Sequence, residues 1–479
     1  MLFNSYRFLF LFLPIVFVGF RLFAWRGKHK SAVGWLVFSS LFFCAHWNIS
    51  LVALLSISLT VNYLLGRLLS DIDLGRKCVL VIGIVGNLAL IGYYKYLGFF
   101  SEIIHGICGT QLVELEGIIL PLGISFWTFQ QISYLVDVYR DKSTCEESML
   151  YYFAYILFFP QLIAGPIVRH NDFIWQLKRD SLLRLSYRNI LIGICLFSFG
   201  LFKKVAIADV LSPKVAQIFD VDVVLTSASA WVGALAYTLQ LYFDFSGYSD
   251  MAMGLALLFN LHLPRNFNSP YRATSIVDFW RRWHITLSSF LRDYLYIPLG
   301  GKYRRYSSIL WTMLLGGLWH GAGWNFIFWG GLHGVALCVN HIWRKTGRVA
   351  PKIVSWGGTM IVVTVCWVFF RANSLEQAFN IVSAMFMIDC GSGRWVEWRQ
   401  VLKIMALMCA CRYLPEPISV LNFNKSKKVE FSLKYRNKTI FELSGMNTTI
   451  SKTVIALICL LWALYRMNTA PMEFLYFQF

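Results

Sequence analysis

Long apolar runs separated by short basic segments constrain this chain more than any other feature of its sequence. Residues 8–25, 78–100 and 353–371 are examples of such runs, and a helix needs about 20 apolar residues to cross the hydrocarbon core of a bilayer. The runs do not alternate between apolar and polar residues as the strands of a membrane barrel do. Because backbone polar groups in a bilayer must be satisfied within the protein, the runs predict an all-α integral membrane protein.

The composition leaves little room for water-exposed domains. The chain is 57% hydrophobic and 14% charged over 479 residues, whereas soluble proteins carry about 25% charged residues. We expect one multi-pass domain over residues 1–479 with about 11 to 13 membrane segments. The longest polar stretch, residues 413–450, is basic and is predicted to be a cytoplasmic loop.

The net charge of +19 would indicate nucleic-acid binding in a soluble protein. Here the Lys and Arg residues fall mostly between the apolar runs, where they orient the helices and meet anionic lipid headgroups. The expected partner is therefore the lipid bilayer and not nucleic acid.

The cysteines and histidines do not show metal-ligand spacing. The eleven cysteines lie mainly in or beside apolar runs and form no CxxC pair, and Cys409 and Cys411 are only two apart. No histidine pair has HExxH spacing, and no nearby carboxylate completes a zinc site. The sequence predicts no metal site and no bound cofactor.

Three stretches are too polar or too broken to be ordinary lipid-facing helices. Residues 117–139 carry several polar side chains, which predicts that they face the protein interior. Residues 150–168 contain Pro160 and a Gly-Pro pair, which favours a broken helix or a re-entrant turn. Residues 275–301 are basic and aromatic, as in a helix at the membrane interface.

Two histidine-bearing apolar blocks are the main candidates for chemistry. His320 lies between Trp319 and Gly321 in an apolar run, and His284 lies in the upstream block among charges. Ionisable residues at membrane depth are costly and often functional. His320 could take a proton from a hydroxyl that attacks a thioester. His284 could orient or polarise the acyl carbonyl; alternatively, each histidine is only hydrogen-bonded within the helix bundle.

Other ionisable residues have weaker signals. His333 and His341 are equally compatible with packing roles. Asp244 and Asp250 lie within residues 228–261 at membrane depth, where they could form a paired-carboxylate site or line an ion pathway. The alternative, which we favour for their chemistry, is a buried carboxylate that pairs with an arginine and helps to shape the cavity.

The C-terminal FLYFQF, residues 474–479, has two interpretations. Its aromatic residues could anchor the last helix at the membrane interface. Alternatively, the terminal peptide could enter a cavity and present the hydroxyl of Tyr476. A hydroxyl with a pKa near 10 needs a base to act as a nucleophile at neutral pH.

Long motifs from the first third of the chain to its last residue resemble the membrane-bound O-acyltransferase family, in its bacterial polysaccharide O-acetylation branch. The matching stretches are LPLGISFWTFQQISYLVDVYRD (120–141), FFPQLIAGPIVR (158–169), YFDFSGYSDMAMGLA (242–256), NFNSPY (266–271), DFWRRWHITLSSFLRDYLYIPLGG (278–301), LGGLWHGAGWNFIFWGGLHG (315–334) and FLYFQF (474–479).

The resemblance implies a ring of transmembrane helices with re-entrant segments around a tunnel, in the bacterial inner membrane. It implies that His320 is catalytic, that His284 lies near it, and that Tyr476 accepts the acyl group. The implied donor is cytoplasmic acetyl-CoA, and the implied acceptor is a cell-surface polysaccharide such as alginate, cellulose or peptidoglycan. A separate extracytoplasmic acyltransferase of the SGNH type is the implied partner. The predicted tunnel residues are Asp244, Asp250, Trp319, Asn325, Arg281 and Arg282.

Two other functions remain open on the sequence alone. A polytopic transporter or flippase could move an acyl donor or a glycan without chemistry, and it would use the same intramembrane carboxylates. A scaffold could instead only recruit a soluble acyltransferase. The three functions differ in whether acyl transfer depends on His320.

Overall fold

The structure is a computed structural model, and it describes residues 1–109, 120–220, 225–387, 397–421, 450–467 and 474–475. Within these ranges the chain forms helices joined by turns and loops and no β-strand, which confirms the predicted all-α class. Contacts between residues group the chain into two compact units, each built from separate stretches of sequence. The prediction of one domain, and of a ring around a tunnel, stays a prediction.

The first unit contains Met1–Leu201, Tyr248–Arg265 and Pro417–Glu473. Its helices are α1 Leu13–Trp25, α2 His29–Ala45, α3 Ile49–Asp71, α4 Arg76–Ile91, α5 Leu97–Cys108, α6 Ile124–Tyr139, α7 Met149–Leu157, α8 Phe159–Leu162, α9 His170–Lys178, α10 Tyr187–Phe202, α20 Pro417–Leu421 and α21 Ile450–Arg466.

The second unit contains Phe202–Gly247, Asn266–Glu416 and Phe474–Phe479. Its helices are α11 Asp209–Phe219, the larger part of α12 Ser227–Leu258, α13 Ile276–Trp280, α14 Ile285–Leu291, α15 Arg305–His320, α16 Trp324–Lys345, α17 Lys352–Arg371, α18 Leu375–Phe386 and α19 Trp398–Tyr413.

Six helical stretches of the described chain are long and apolar enough to cross a membrane. Two of them join neighbouring helices through a short π-helical segment, Gly92–Tyr96 in one case and Lys203–Ala208 in the other. The predicted total of about 11 to 13 membrane segments stays a prediction. The six stretches are Phe8–Trp25, Ile49–Asp71, Arg76–Cys108, Tyr187–Phe219, Trp324–Lys345 and Lys352–Arg371.

Breaks in the apolar runs occur where the local sequence predicts them. Asn48, a helix-capping residue type, marks such a break: α2 ends at Ala45, and the Asn48 side chain accepts the backbone N–H of Ser50 at 2.9 Å, which caps α3. The predicted broken helix at residues 150–168 is confirmed. There Phe158 leaves the helical conformation between α7 and α8, and Pro160 follows in the first turn of α8.

Helices α15 and α16 form a hairpin in which the two backbones approach closely. A Cβ atom at Gly317 would lie 2.2 Å from the carbonyl oxygen of Phe326, and one at Gly330 would lie 2.2 Å from that of Met313. Small residues permit such close helix contacts in membrane proteins. The hairpin places His320, the last residue of α15, beside the first turns of α16.

Candidate active site

His320 lies in an aromatic enclosure at the C-terminal end of α15. The side chain is buried, and its ring packs edge-on against Trp319, Trp329 and Phe370 at centroid distances of 4.9, 5.1 and 5.3 Å. After His320 the backbone becomes extended at Gly321, which ends the helix. The enclosure holds the imidazole among aromatic rings at the end of a helix.

His284 is held in a strained backbone conformation at the start of α14. Its φ of 42° and ψ of 55° lie in the left-handed region, which is uncommon for residues other than glycine and often marks a functional site. The conformation is supported on both sides, because Ile285 donates its backbone N–H to the carbonyl of Asn266 and Asn268 donates to the carbonyl of Arg282, each at 2.9 Å.

Asn266 fixes the tautomer of a neutral His284. The Asn266 side-chain oxygen accepts the Thr286 hydroxyl at 2.9 Å and the Thr286 backbone N–H at 3.3 Å. Because a backbone N–H can only donate, the atom that it meets must be the oxygen of the amide. The contact of 3.1 Å between His284 Nδ1 and the same oxygen is then a hydrogen bond donated by Nδ1.

A neutral His284 therefore carries its proton on Nδ1 and presents Nε2 as an acceptor. In this state Nε2 can receive a proton or a hydrogen bond from a substrate N–H or O–H. It cannot polarise a carbonyl oxygen by donation, which only the imidazolium could do. The arrangement thus favours His284 as an acceptor or positioning group over the predicted role in polarising a carbonyl.

Tryptophan rings connect three histidines in one cluster. The Trp319 ring lies 6.5 Å from the His284 ring and 4.9 Å from the His320 ring, measured between centroids. The Trp329 ring lies 5.1 Å from His320 and 5.1 Å from His333. The two sequence blocks that contain these histidines are therefore brought together, as the resemblance implied for His284 and His320.

His333 is a buried packing residue of this cluster. Trp280 donates its indole N–H to His333 Nδ1 at 3.3 Å, and the Phe279 ring is stacked against the imidazole at 6.2 Å. Since indole nitrogen only donates, a neutral His333 carries its proton on Nε2. This contact favours the packing interpretation that the sequence left open.

The other predicted tunnel residues have differing surroundings. The Asn325 side chain donates to the carbonyl of Ala372 at 2.9 Å, where α17 ends. Arg282 donates to Asp278, four residues before it, at 2.9 Å, and Arg281 is exposed at the surface. The assignment of Asn325, Arg281 and Arg282 to a tunnel stays a prediction.

The predicted carboxylates are both buried. Asp244 is 1% exposed, and within the described part of the chain it pairs with Lys204 at 2.6 Å and not with an arginine. Asp250 is 3% exposed and belongs to the first unit, whereas Asp244 belongs to the second. The predicted acceptor Tyr476 lies outside the described residues, as does most of the basic loop predicted at residues 413–450.

A basic pocket of about 430 Å³ lies at the end of the α15–α16 hairpin opposite His320. Arg305 begins α15 and His320 ends it, so about 22 Å of helix separates the two ends. Lys and Arg concentrate on the cytoplasmic side of membrane proteins. Arginine and lysine side chains of this kind can bind phosphate groups. The lining residues of the pocket are Tyr296, Arg305, His341, Arg344 and Lys345.

Comparison with known proteins shows the family of the chain. Residues 146–378 match the model of MBOAT, the membrane-bound O-acyltransferase family. The chain is 43% identical over 420 residues to the peptidoglycan O-acetyltransferase of Helicobacter pylori, covering 80% of each protein. It is 40% identical over 399 residues to the probable alginate O-acetylase of Azotobacter vinelandii, covering 81% of this chain and 78% of the relative.

The chain belongs to the membrane-bound O-acyltransferase family. It is an O-acyltransferase and an integral membrane protein. A more distant relative is the teichoic acid D-alanyltransferase of Streptococcus thermophilus, 28% identical over 288 residues, with coverage of 56% of this chain and 68% of the relative.

Two residues of the candidate site were missed by the sequence reasoning. Asn266 lies in the NFNSPY motif. Its hydrogen bond with His284 joins residues that are 18 positions apart in the sequence. Lys204 lies inside an apolar run, and a cation at such a position is itself a signal for a buried carboxylate partner.

Among the described residues, no three His, Cys, Asp or Glu side chains come together in a group that could hold a metal ion. The clustered histidines are instead separated by indole rings, and Asn266 and Trp280 occupy one ring nitrogen of His284 and of His333 respectively.

Proposed function

We propose that this O-acyltransferase is an O-acetyltransferase of the bacterial inner membrane that takes acetyl from cytoplasmic acetyl-CoA and passes it across the membrane. The final acceptor is a hydroxyl of a cell-surface polysaccharide. The observation that carries the proposal is His320, buried at the end of α15 within an aromatic enclosure that also reaches His284 through Trp319.

In the proposed reaction His320 acts as the general base. It takes the proton from the attacking hydroxyl, whose oxygen forms a bond to the thioester carbonyl carbon. The carbon–sulfur bond then breaks, and the imidazolium returns the proton to the thiolate that leaves as coenzyme A. General base catalysis of this kind contributes about 10²- to 10⁴-fold to the rate. His284, through Nε2, accepts a hydrogen bond from the donor or the hydroxyl and positions it.

The attacking hydroxyl is proposed to be that of Tyr476, which would carry acetyl to the outer side. A partner acyltransferase of the SGNH type would then move it to the polymer. The relatives bear names that refer to peptidoglycan and to alginate. Peptidoglycan is the acceptor to test first, since the relative with that name shares 43% identity with this chain; alginate and cellulose follow.

The basic pocket supports a donor that carries phosphate groups. Its four basic side chains can bind phosphates, with Lys345 and Arg344 at the end of α16 and Arg305 at the start of α15. Because His320 lies at the opposite end of α15, a donor bound there needs a long, narrow arm to deliver its acyl group. The pantetheine arm of coenzyme A provides one.

The proposal is tested with purified protein in sealed vesicles that contain acetyl-CoA only in the lumen. We expect free coenzyme A thiol in the lumen and acetyl on the protein or on an external acceptor. The matched variant is His320→Gln, which keeps a polar side chain of similar size but no base, and it should abolish both signals.

The alternative functions predict different results in the same vesicles. A transporter would move intact acetyl-CoA outward without releasing thiol, and a scaffold would need an added acyltransferase and would not respond to His320→Gln. Either result would reject the enzymatic proposal.

A further inference from the structure

Lys204 forms a buried ion cluster with two carboxylates. Its ammonium nitrogen lies 2.6 Å from Asp244 and 2.8 Å from Asp209, and Lys204 and Asp244 are each 1% exposed. Burying such charges costs several kcal/mol for each ion before pairing offsets the cost. Because of this cost, an ionisable group at membrane depth is by default a candidate functional residue.

The C-terminal segment of the chain contacts this cluster. The backbone N–H of Leu475 donates to Asp244 Oδ2 at 3.0 Å, while Oδ1 of the same carboxylate accepts from Lys204. The Phe474 ring is 1% exposed and lies 4.7 Å from the Lys204 ammonium, the geometry of a cation–π contact. Both ions of the pair thus contact the tail, one through its backbone and one through an aromatic ring.

We propose that Asp244 and Lys204 are positioning residues for acyl transfer, which bind Phe474 and Leu475 and thereby fix the chain beside Tyr476. This inference rests on the proposed function, in which Tyr476 accepts the acyl group. Consecutive Cα atoms are about 3.8 Å apart, so an anchor at Leu475 acts on the residue directly before the proposed acceptor. A misplacement of about 1 Å at a reacting group can lower a rate about 10²-fold.

The two contacts have complementary properties. A carboxylate accepts a backbone N–H more strongly than a neutral group does, and this contact does not depend on the side chain at 475. The contact between Lys204 and Phe474 does depend on the side chain, and it selects an aromatic residue two positions before Tyr476. Together they fix both the position and the register of the tail.

The first measurement is the release of C-terminal residues by carboxypeptidase from the full-length protein in detergent, without any acyl donor. Asp244→Asn keeps the shape of the side chain but turns an N–H group toward either Lys204 or Leu475. Loss of a hydrogen bond to a charged group should make release of the tail about 10- to 100-fold faster.

Asp209→Asn is the matched control. It removes a carboxylate from the same lysine, but Asp209 is not the group that accepts the Leu475 N–H. Release from this variant should stay within about threefold of wild type. Phe474→Leu is the second test variant, since it removes the ring over Lys204 without changing the buried ions, and it should speed release about three- to tenfold.

The second measurement is the kinetics of acyl transfer. Asp244→Asn should lower kcat about 10²-fold with an unchanged KM for the donor, because donor binding does not involve the tail. Wild-type release rates in both Asp244→Asn and Phe474→Leu would overturn the proposal. Faster release with unchanged kcat would also overturn it, since the tail would then be bound without being positioned for transfer.

The two measurements separate this inference from the proposed function. The rate of carboxypeptidase release does not require acyl transfer, so it measures how firmly Phe474 and Leu475 are bound even in an inactive protein. Absence of acyl transfer in wild type, with a protected tail, would reject the proposed function. A freely digested tail in an active wild-type enzyme would reject the anchor instead.

Discussion

Gly330→Ala tests whether the close contact of α15 and α16 positions His320. A Cβ at Gly330 would lie 2.2 Å from the carbonyl oxygen of Met313, and ordinary contacts begin near 3.4 Å. The two helices would therefore have to separate by about 1 Å at their crossing. Such overpacking costs about 1–3 kcal/mol of stability.

The effect on activity should exceed the effect on folding. His320 is the last residue of α15. Gly317, which lies three residues earlier on α15, contacts Phe326 of α16. A shift of about 1 Å at a catalytic group can lower a rate about 10²-fold. We expect kcat/KM for acyl transfer to fall by about that factor, measured as the release of coenzyme A thiol.

Gly331→Ala is the control on the same helix. Its added Cβ would lie 3.4 Å from a Leu314 methyl group, an ordinary contact. Replacing glycine by alanine stabilises the helix by about 1 kcal/mol in both variants, so the difference between them measures the effect of the clash with Met313 alone. Thermal unfolding in detergent would be measured for both. Equal activity of the two variants would refute the argument that the hairpin contact positions His320.

Three further predictions follow from the described contacts. Asn266→Ala removes the oxygen that accepts the hydrogen bond from His284 Nδ1, and kcat/KM for acyl transfer should fall about tenfold or more. Lys345→Gln, in the basic pocket, should raise the KM for acetyl-CoA about fivefold with an unchanged kcat. Arg348→Gln, outside the pocket, should leave this KM unchanged. Equal KM values in the two variants would exclude the pocket as the donor site. Burial lowers the pKa of His170 from 6.5 to about 4. Between these pH values the unfolded chain binds a proton that the folded chain does not. The free energy of unfolding should therefore fall by up to about 3 kcal/mol as the pH drops through this range. Thermal unfolding between pH 7 and 4.5 checks this, and His170→Phe should reduce the dependence on pH.

Local features of the sequence predicted the helices and their breaks. Asn48 interrupts a long apolar run with a residue that caps helices, and Pro160 follows a break in another. These signals act within a few residues of the chain, so a single sequence contains them. The block around His320 was identified for the same reason, since an ionisable residue within an apolar run is visible locally.

Contacts between distant residues could not be predicted in the same way. The pairing of Lys204 with Asp244 spans 40 positions, and the hydrogen bond from Leu475 to Asp244 spans 231. The sequence reasoning expected an arginine partner because arginines are numerous, but several basic residues are compatible with a buried carboxylate. Only the fold decides which of them is adjacent.

The tautomer of His284 shows a second limit. The role expected from the sequence, polarising a carbonyl, needs an N–H at the ring nitrogen that faces the donor. The Asn266 oxygen accepts a hydrogen bond from His284 Nδ1–H because the backbone N–H of Thr286 already identifies that atom as the amide oxygen. That assignment depends on three side chains and one backbone amide in a single geometry, which residue types alone do not reveal.

The mass of the C-terminal tryptic peptide that follows Arg466, from purified protein incubated with acetyl-CoA, tests the central claim most directly. The account predicts an acetyl adduct on Tyr476 in wild type and none in His320→Gln. An adduct of equal yield in both proteins would contradict the role of His320 as the general base. Acetyl transfer to the polymer by a wild-type protein whose Tyr476 is never modified would contradict the relay.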